Sequence, residues 1–116
     1  METIETLKIK FEQYAIEQYL ALCEGSGKKA NRAHKKIQLL YAKIKDLNRV
    51  DVFTEFLHHE HENVRLWAAG FCLKVYPDLA EKELKKLLKS SDFFIRSAAK
   101  CTLSLYKNNE WDKLVV

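Results

Sequence analysis

The sequence predicts an all-α fold, a short right-handed α-α superhelix of about three helical hairpins that together contain six helices. The 116 residues include three glycines and one proline, which is too little turn-forming sequence for an all-β protein. The apolar residues instead recur every three or four positions, as they do on one face of a helix. A segment of about 30 residues is also repeated along the chain, which is typical of helical solenoids.

The length and composition fit a single domain over residues 1–116. Hydrophobic residues make up 47% of the chain and charged residues 31%, as in an ordinary folded protein. No apolar run approaches the roughly 20 residues that span a bilayer, and the N-terminus has no signal-peptide pattern. The three cysteines form neither a CxxC pair nor an even-numbered disulfide framework. We therefore expect a cytoplasmic protein with no membrane contact, no metal and no other cofactor.

The first hairpin is predicted at residues 3–47. Its first helix covers residues 3–23 and ends before Gly25, because glycine adopts the left-handed conformation of a helix end without strain. Its second helix covers residues 28–47. The inward apolar residues of this second helix are Ala33, Ile37, Leu40, Tyr41, Ile44 and Leu47.

The second hairpin is predicted at residues 51–76, with Asp51 and Asn63 as the N-caps of its two helices. A run of histidine and glutamate at positions 58–62 separates the helices. Position 63 lacks the second histidine of an HExxH motif, so we expect a solvated loop there rather than a metal site. The inward apolar residues of this hairpin are Phe53, Phe56, Leu57, Val64, Ala68, Phe71, Cys72 and Val75.

The third hairpin is predicted at residues 78–107. Pro77 ends the preceding helix, and the next begins at Asp78 with Leu84, Leu87 and Leu88 facing inward. The last helix begins at Ser91 or Asp92. In the short tail of residues 108–116, Trp111 and Leu114 are expected to fold back onto this last hairpin.

The second and third hairpins repeat each other. A shift of 31 residues aligns Val64 with Ile95, Arg65 with Arg96, and Ala68 with Ala99. Each pattern opens the second helix of its hairpin and resembles the HEAT repeat. Stacking HEAT-like hairpins would bury one continuous apolar core.

Most of the chain, over residues 7–106, also resembles the small bacterial DUF2019 family of HEAT-like proteins. The matching segments are Lys29-Ala30-Asn31-Arg32, Val64-Arg65 with Ala68-Ala69, and Pro77 with Ala80 and Leu84. The resemblance implies a HEAT-like stack in which Arg65 and Arg96 are structural and bond carbonyls or an acid at the turns. That family carries no established activity, so no catalytic residue follows from it. Comparable HEAT-like families resemble immunity or antitoxin proteins, which implies a protein partner.

The net charge of +4 is unevenly distributed. A basic stripe lies on neighbouring turns of the second helix, away from its apolar face, and consists of Lys28, Arg32, Lys35, Lys36 and Lys43. Such a stripe favours an anionic partner, either an acidic protein surface or nucleic acid. Aromatic residues do not alternate with these cations as stacking platforms would, which favours the protein. The alternative is that the long side chains only solvate the outer face of the helix.

Trp67 is a further candidate for partner binding. The inward face of its helix is already supplied by Val64 and Ala68, so an exposed Trp67 would be a natural interface anchor. The alternative is a core tryptophan whose indole N–H bonds a carbonyl.

These observations predict a non-enzymatic protein-binding module, and one specific version is an immunity-type inhibitor of a bacterial toxin. The sequence has no GxGxxG, GxxxxGK or GxSxG motif and no catalytic pair of carboxylates. Two alternatives stay open. One is a nucleic-acid-associated protein that uses the basic second helix, and the other is a self-associating structural protein that pairs through the ends of the solenoid.

Overall fold

The computed structural model describes residues 2–111, and all regular structure in that range is helical. The described helices are α1 (Ile4–Glu24), α2 (Gly27–Asp46), the 3-10 helix η1 (Val50–Phe56), α3 (Glu62–Cys72), α4 (Pro77–Leu87) and α5 (Phe93–Lys107). The prediction of an all-α fold is confirmed. The chain divides into two compact units between Val52 and Phe53. None of the helices in residues 2–111 has both the length and the apolar character needed to cross a membrane.

The first unit is an antiparallel helical hairpin whose ends are set by local residues. Thr3 caps α1, because its side-chain oxygen accepts from the backbone N–H of Thr6 at 3.2 Å. Gly25 follows α1 with a φ of 81°, as expected from the sequence. Ser26 then caps α2. Asn48 follows the C-cap of this helix with a φ of 57°, a conformation that asparagine tolerates better than most residues.

The core of the first unit lies between α1 and α2. Leu7, Phe11 and Ala15 of α1 are each at most 2% exposed, as are Ile37 and Ile44 of α2. These residues follow the predicted helical periodicity. Leu47 was expected in this core but is 52% exposed. The reason is that α2 ends at Asp46, so that Leu47 is its C-cap.

The second unit begins within η1, where an α-helix was predicted from Asp51. Three β-branched residues, Val50, Val52 and Thr54, lower the α-helical propensity of this segment. The segment forms a 3-10 helix instead. Its buried Phe53 contacts Phe71 of α3, with ring centroids 5.0 Å apart.

The beginning of α3 differs from the prediction. His61, rather than Asn63, is the N-cap, and its Nδ1 accepts from the backbone N–H of Asn63 at 3.2 Å. Asn63 is in the first turn of the helix and is 2% exposed.

The end of α3 and the start of α4 also differ from the prediction. The helix α3 ends at Cys72, so Val75 is not part of its inward face and is 56% exposed. Pro77 is the first residue of α4 rather than the end of α3, because proline suits a position whose N–H has no helical partner. Tyr76, the residue before the proline, has the non-helical φ of −130°.

The α4–α5 hairpin closes the second unit. Asp92 caps α5, because its Oδ1 accepts from the N–H groups of Phe94 at 2.8 Å and Ile95 at 3.3 Å. The sequence left Ser91 and Asp92 open as the start of this helix, and Asp92 is the cap. Leu88 was predicted to face inward, but it is the C-cap of α4 and is 37% exposed.

Trp111 folds back onto the second unit. Its Nε1 donates to the carbonyl oxygen of Gly70 at 2.9 Å, and the residue is 6% exposed. The ammonium of Lys74 lies 5.4 Å from the centroid of the indole ring. Trp111 therefore contacts α3, whereas the prediction placed it on the last hairpin. Leu114, its predicted companion, lies outside the described residues.

Candidate partner-binding site

The basic stripe lies on the outer face of α2, opposite the apolar residues that pack against α1. Lys28, Arg32 and Lys35 are exposed, whereas Lys36 is half-buried. Among residues 2–111, no carboxylate lies within salt-bridge distance of Lys28, Arg32 or Lys35. These three cations are therefore available to a partner.

A ladder of ion pairs connects one flank of α2 to α1. The lysines involved recur every seven residues, so they lie in one row of the helix. The pairs are Lys29 Nζ to Glu24 Oε1 at 2.7 Å, Lys36 Nζ to Glu17 Oε1 at 3.6 Å, and Lys43 Nζ to Glu2 Oε1 at 2.6 Å. We call this line of contact between the two helices the α1–α2 seam. Two members of the predicted stripe, Lys36 and Lys43, thus already have acidic neighbours within the chain.

Glu2 is shared by two lysines at one end of the seam. Its carboxylate accepts from Lys10 as well as from Lys43. These hydrogen bonds lower the pKa of Glu2 to about 2, and the bond that Lys10 donates to Glu2 raises the pKa of Lys10. Exposed ion pairs of this kind contribute little to stability, because water screens the charges. We infer that the ladder mainly sets the register of the two helices.

Exposed leucines lie beside the ladder. Leu39 is 66% exposed and follows Arg32 by seven residues, so it lies on the same face of α2 as the basic stripe. Leu20 of α1 is 57% exposed. A partner that covered either side chain would remove apolar surface from water.

Two shallow cavities lie along the seam. One, of about 140 Å³, is lined by Tyr14 and Leu39 together with lysines of the ladder. The other, of about 340 Å³, is lined by Leu20, Ala21 and Arg32 together with Glu17 and Glu24. Each cavity therefore combines an exposed leucine with charged side chains.

Sequence reasoning missed the two leucines. Leu39 could have been found from its spacing of four residues from Lys35 and seven from Arg32, which places an apolar side chain on the polar face of the helix. Leu20 carries no comparable signal, because its relation to Arg32 depends on how α1 and α2 pair.

Trp67 lies in the second unit, on α3, and is half-buried. Its ring centroid is 5.7 Å from that of Phe71, a buried member of the α3 core. The side chain is thus neither a fully exposed anchor nor a fully buried core residue, and α3 is partly stabilised by this aromatic contact.

The arginines at the repeat position bond the turns that precede their helices. Arg65 donates from Nη1 to the carbonyl of His59 at 2.6 Å and from Nε to Glu83 Oε1 at 2.9 Å. Arg96 donates from Nη1 to the carbonyl of Ser90 at 2.8 Å. Both arginines therefore link their helices to the turns that precede them in the second unit.

The histidine-rich segment between η1 and α3 is a loop in which two imidazoles accept backbone hydrogen bonds. The Nδ1 atoms of His59 and His61 accept backbone N–H groups, at 2.9 Å from His61 and 3.2 Å from Asn63. Burial lowers the pKa of His61. Residues 2–111 contain no group of three or more His, Cys, Asp or Glu side chains placed to hold a metal ion.

Comparison with known proteins finds no family model, no curated protein and no solved structure that matches this chain. The resemblance to the HEAT repeat and to the DUF2019 family is therefore still a prediction.

Proposed function

We propose that the protein is a non-enzymatic binding module that holds another protein, with an acidic surface, against α2 and the α1–α2 seam. The observation that carries the proposal is the position of Leu39, which is 66% exposed within the basic stripe. Apolar side chains surrounded by charge are typical of protein interfaces, where the apolar contact gives affinity and the charges steer the encounter.

The acids of α1 favour a protein over nucleic acid. Glu17 and Glu24 line the same cavity as Arg32, and they pair with Lys36 and Lys29. These carboxylates reduce the positive potential that a phosphate backbone would meet. Binding to nucleic acid depends on many lysine and arginine contacts to phosphate, whereas a protein partner can tolerate mixed charge.

The specific version that we propose is an immunity-type inhibitor, whose partner is a bacterial toxin. Its support is the resemblance to HEAT-like families and the basic face of α2, which is complementary to an acidic partner surface. Inhibition would then follow from covering the surface of the partner, with no chemistry by this chain.

The test is a pull-down of the tagged full-length protein from cells that naturally produce it. Half of the lysate is treated with nuclease before capture, and bound material is identified by mass spectrometry. We expect one stoichiometric protein in both halves, retained when the salt concentration is raised. Recovery of nucleic acid, with proteins that are lost after nuclease treatment, would replace this proposal with the nucleic-acid alternative. Recovery of the tagged chain without any partner would also contradict it.

A further inference from the structure

The α1–α2 seam has the geometry of a groove for one more helix. We propose that its occupant is an amphipathic helix of the partner protein, acidic along one flank. This inference rests on the proposed function and specifies the chemistry of the same site.

The spacing of the exposed leucines fits a helical ligand. The ion pairs Lys29–Glu24 and Lys36–Glu17 set the antiparallel register, in which the two residue numbers of each pair add to 53. Leu20 is therefore level with position 33 of α2, six residues from Leu39. At about 1.5 Å per residue this separation is about 9 Å, close to the roughly 10.5 Å between positions i and i+7 of a helix. A partner helix with large apolar residues at i and i+7 would thus contact both leucines.

The cavities of the seam lie at these two points. The smaller cavity, beside Leu39, also has the half-buried ring of Tyr14 in its wall. The larger cavity, beside Leu20, has the small side chain of Ala21 in its wall. Two apolar side chains one heptad apart would fill them, as anchors do in other helix-in-groove complexes.

The positive charge beside the groove lies on its α2 side. A continuous row of cations runs along the outer face of α2, because Arg32 follows Lys28 by four residues and Lys35 follows Arg32 by three. Carboxylates at positions i, i+4 and i+7 of a partner helix would lie in a matching row. The α1 side of the groove instead carries Glu17 and Glu24, which would repel the same carboxylates. The row of cations therefore also selects the orientation of the partner helix.

Photo-crosslinking in the full-length protein tests this inference. Leu39 and, separately, Leu20 are replaced with p-benzoylphenylalanine, and crosslinks are formed in the cells that produce the protein. Both positions are more than half exposed, so the replacement is compatible with the fold. Mass spectrometry then identifies the crosslinked residues of the partner. We expect both positions to label one segment, at residues about seven apart, in a sequence with helical periodicity and acidic residues on one flank.

A peptide of the crosslinked segment provides the second measurement. Its affinity is measured by fluorescence anisotropy for the wild type and for Leu39→Glu, Arg32→Glu and Leu79→Glu. Leu79 is 51% exposed on α4 of the other unit and serves as the matched control. We expect the first two variants to lose about tenfold or more in affinity and the control to bind like the wild type.

The outcomes separate this inference from the function on which it rests. Crosslinks from positions 39 and 20 to a strand, a loop or a segment without acidic residues would contradict the acidic helical occupant. Protein binding at the seam would still be supported by that result. A stoichiometric partner in the pull-down without crosslinks at either position would overturn the seam as the site. Absence of a protein partner in both experiments would overturn the proposed function itself.

Discussion

Arg65 of α3 donates from Nε to Oε1 of Glu83 of α4 at 2.9 Å, and the side chain of Glu83 is only 6% exposed. The same guanidinium bonds the carbonyl of His59 in the turn before α3. One side chain thus links two helices and a turn of the second unit. Replacing one member of such a pair with an apolar residue lowers the stability of the fold, because the remaining charge stays buried without that partner.

Replacing this arginine should destabilise the protein strongly. We expect Arg65→Met to lower the free energy of unfolding by about 3 kcal/mol, since the buried Glu83 then keeps only the more distant ammonium of Lys86, 3.7 Å away. Urea denaturation followed by circular dichroism measures the change. The double variant Arg65→Met with Glu83→Leu should recover part of the loss. Arg96→Met should cost only about 1 kcal/mol, because Arg96 bonds a single carbonyl. Equal losses for the two arginines would contradict this explanation.

Trp111 should stabilise the second unit through its indole N–H as well as its ring. Trp111→Phe keeps most of the apolar contact but removes the hydrogen bond to the carbonyl of Gly70. We expect a loss of about 1 kcal/mol for Trp111→Phe and about 3 kcal/mol for Trp111→Ala, measured by chemical unfolding. If the alanine variant is as stable as the wild type, Trp111 does not pack on α3 as described.

The stability of the fold should decrease at mildly acidic pH. Burial lowers the pKa of His61, and also that of His34, below the ordinary value of 6.5. The unfolded chain therefore binds protons more readily than the folded chain as the pH falls below about 6.5. The contribution of each neutral histidine to the free energy of unfolding is therefore fully present above that pH. It is lost as the pH falls through the lowered pKa of the folded state. Protonation of His61 at Nδ1 would also remove the acceptor that caps α3.

Thermal unfolding between about pH 7.5 and about pH 5.5 measures this effect. We expect the Tm of the wild type to fall across the range, and the Tm of His61→Asp to fall less, since an ionised aspartate remains a good N-cap. Some decrease should remain in this variant because of His34. His58→Asn is the control, because the neighbouring His58 is exposed and is not the N-cap of α3. A steeper decrease in His61→Asp than in the wild type would refute the role of His61.

The three thiols should differ in reactivity. Cys72 is buried, and burial raises its pKa to about 12, whereas Cys23 and Cys101 are exposed. Since the thiolate is the reactive form, we expect a thiol reagent such as Ellman's reagent to modify two cysteines in the folded protein. The third should react only after denaturation. Rapid reaction of all three in the native protein would show that Cys72 is accessible.

The local sequence was sufficient to predict a helix end where that end depends on one residue. Gly25 was predicted at the end of α1, and Asp92 was one of two residues predicted at the start of α5, because glycine and aspartate have strong intrinsic preferences there. The cap of α3 was missed, since histidine is an uncommon N-cap and Asn63 is a common one. The 3-10 helix η1 was missed for a similar reason: Asp51 indicated a helix start without indicating the type of helix.

The candidate site was only partly predictable. The basic stripe could be identified because positions on one helix follow a fixed period. The pairing of Lys36 with Glu17 could not be predicted, because it depends on the register of two helices that are separate in sequence. The same holds for Leu20 and Arg32, which line one cavity only because α1 and α2 are antiparallel.

The most direct test of the central claim compares two leucine variants in the same pull-down. Leu39 lies in the basic stripe at 66% exposure and Leu79 lies on α4 at 51% exposure, so a glutamate at either position leaves the core intact. We predict that Leu39→Glu loses the stoichiometric partner protein while Leu79→Glu retains it, with both variants folded by circular dichroism. Retention of the partner by Leu39→Glu at wild-type level would show that the basic face of α2 is not the binding surface.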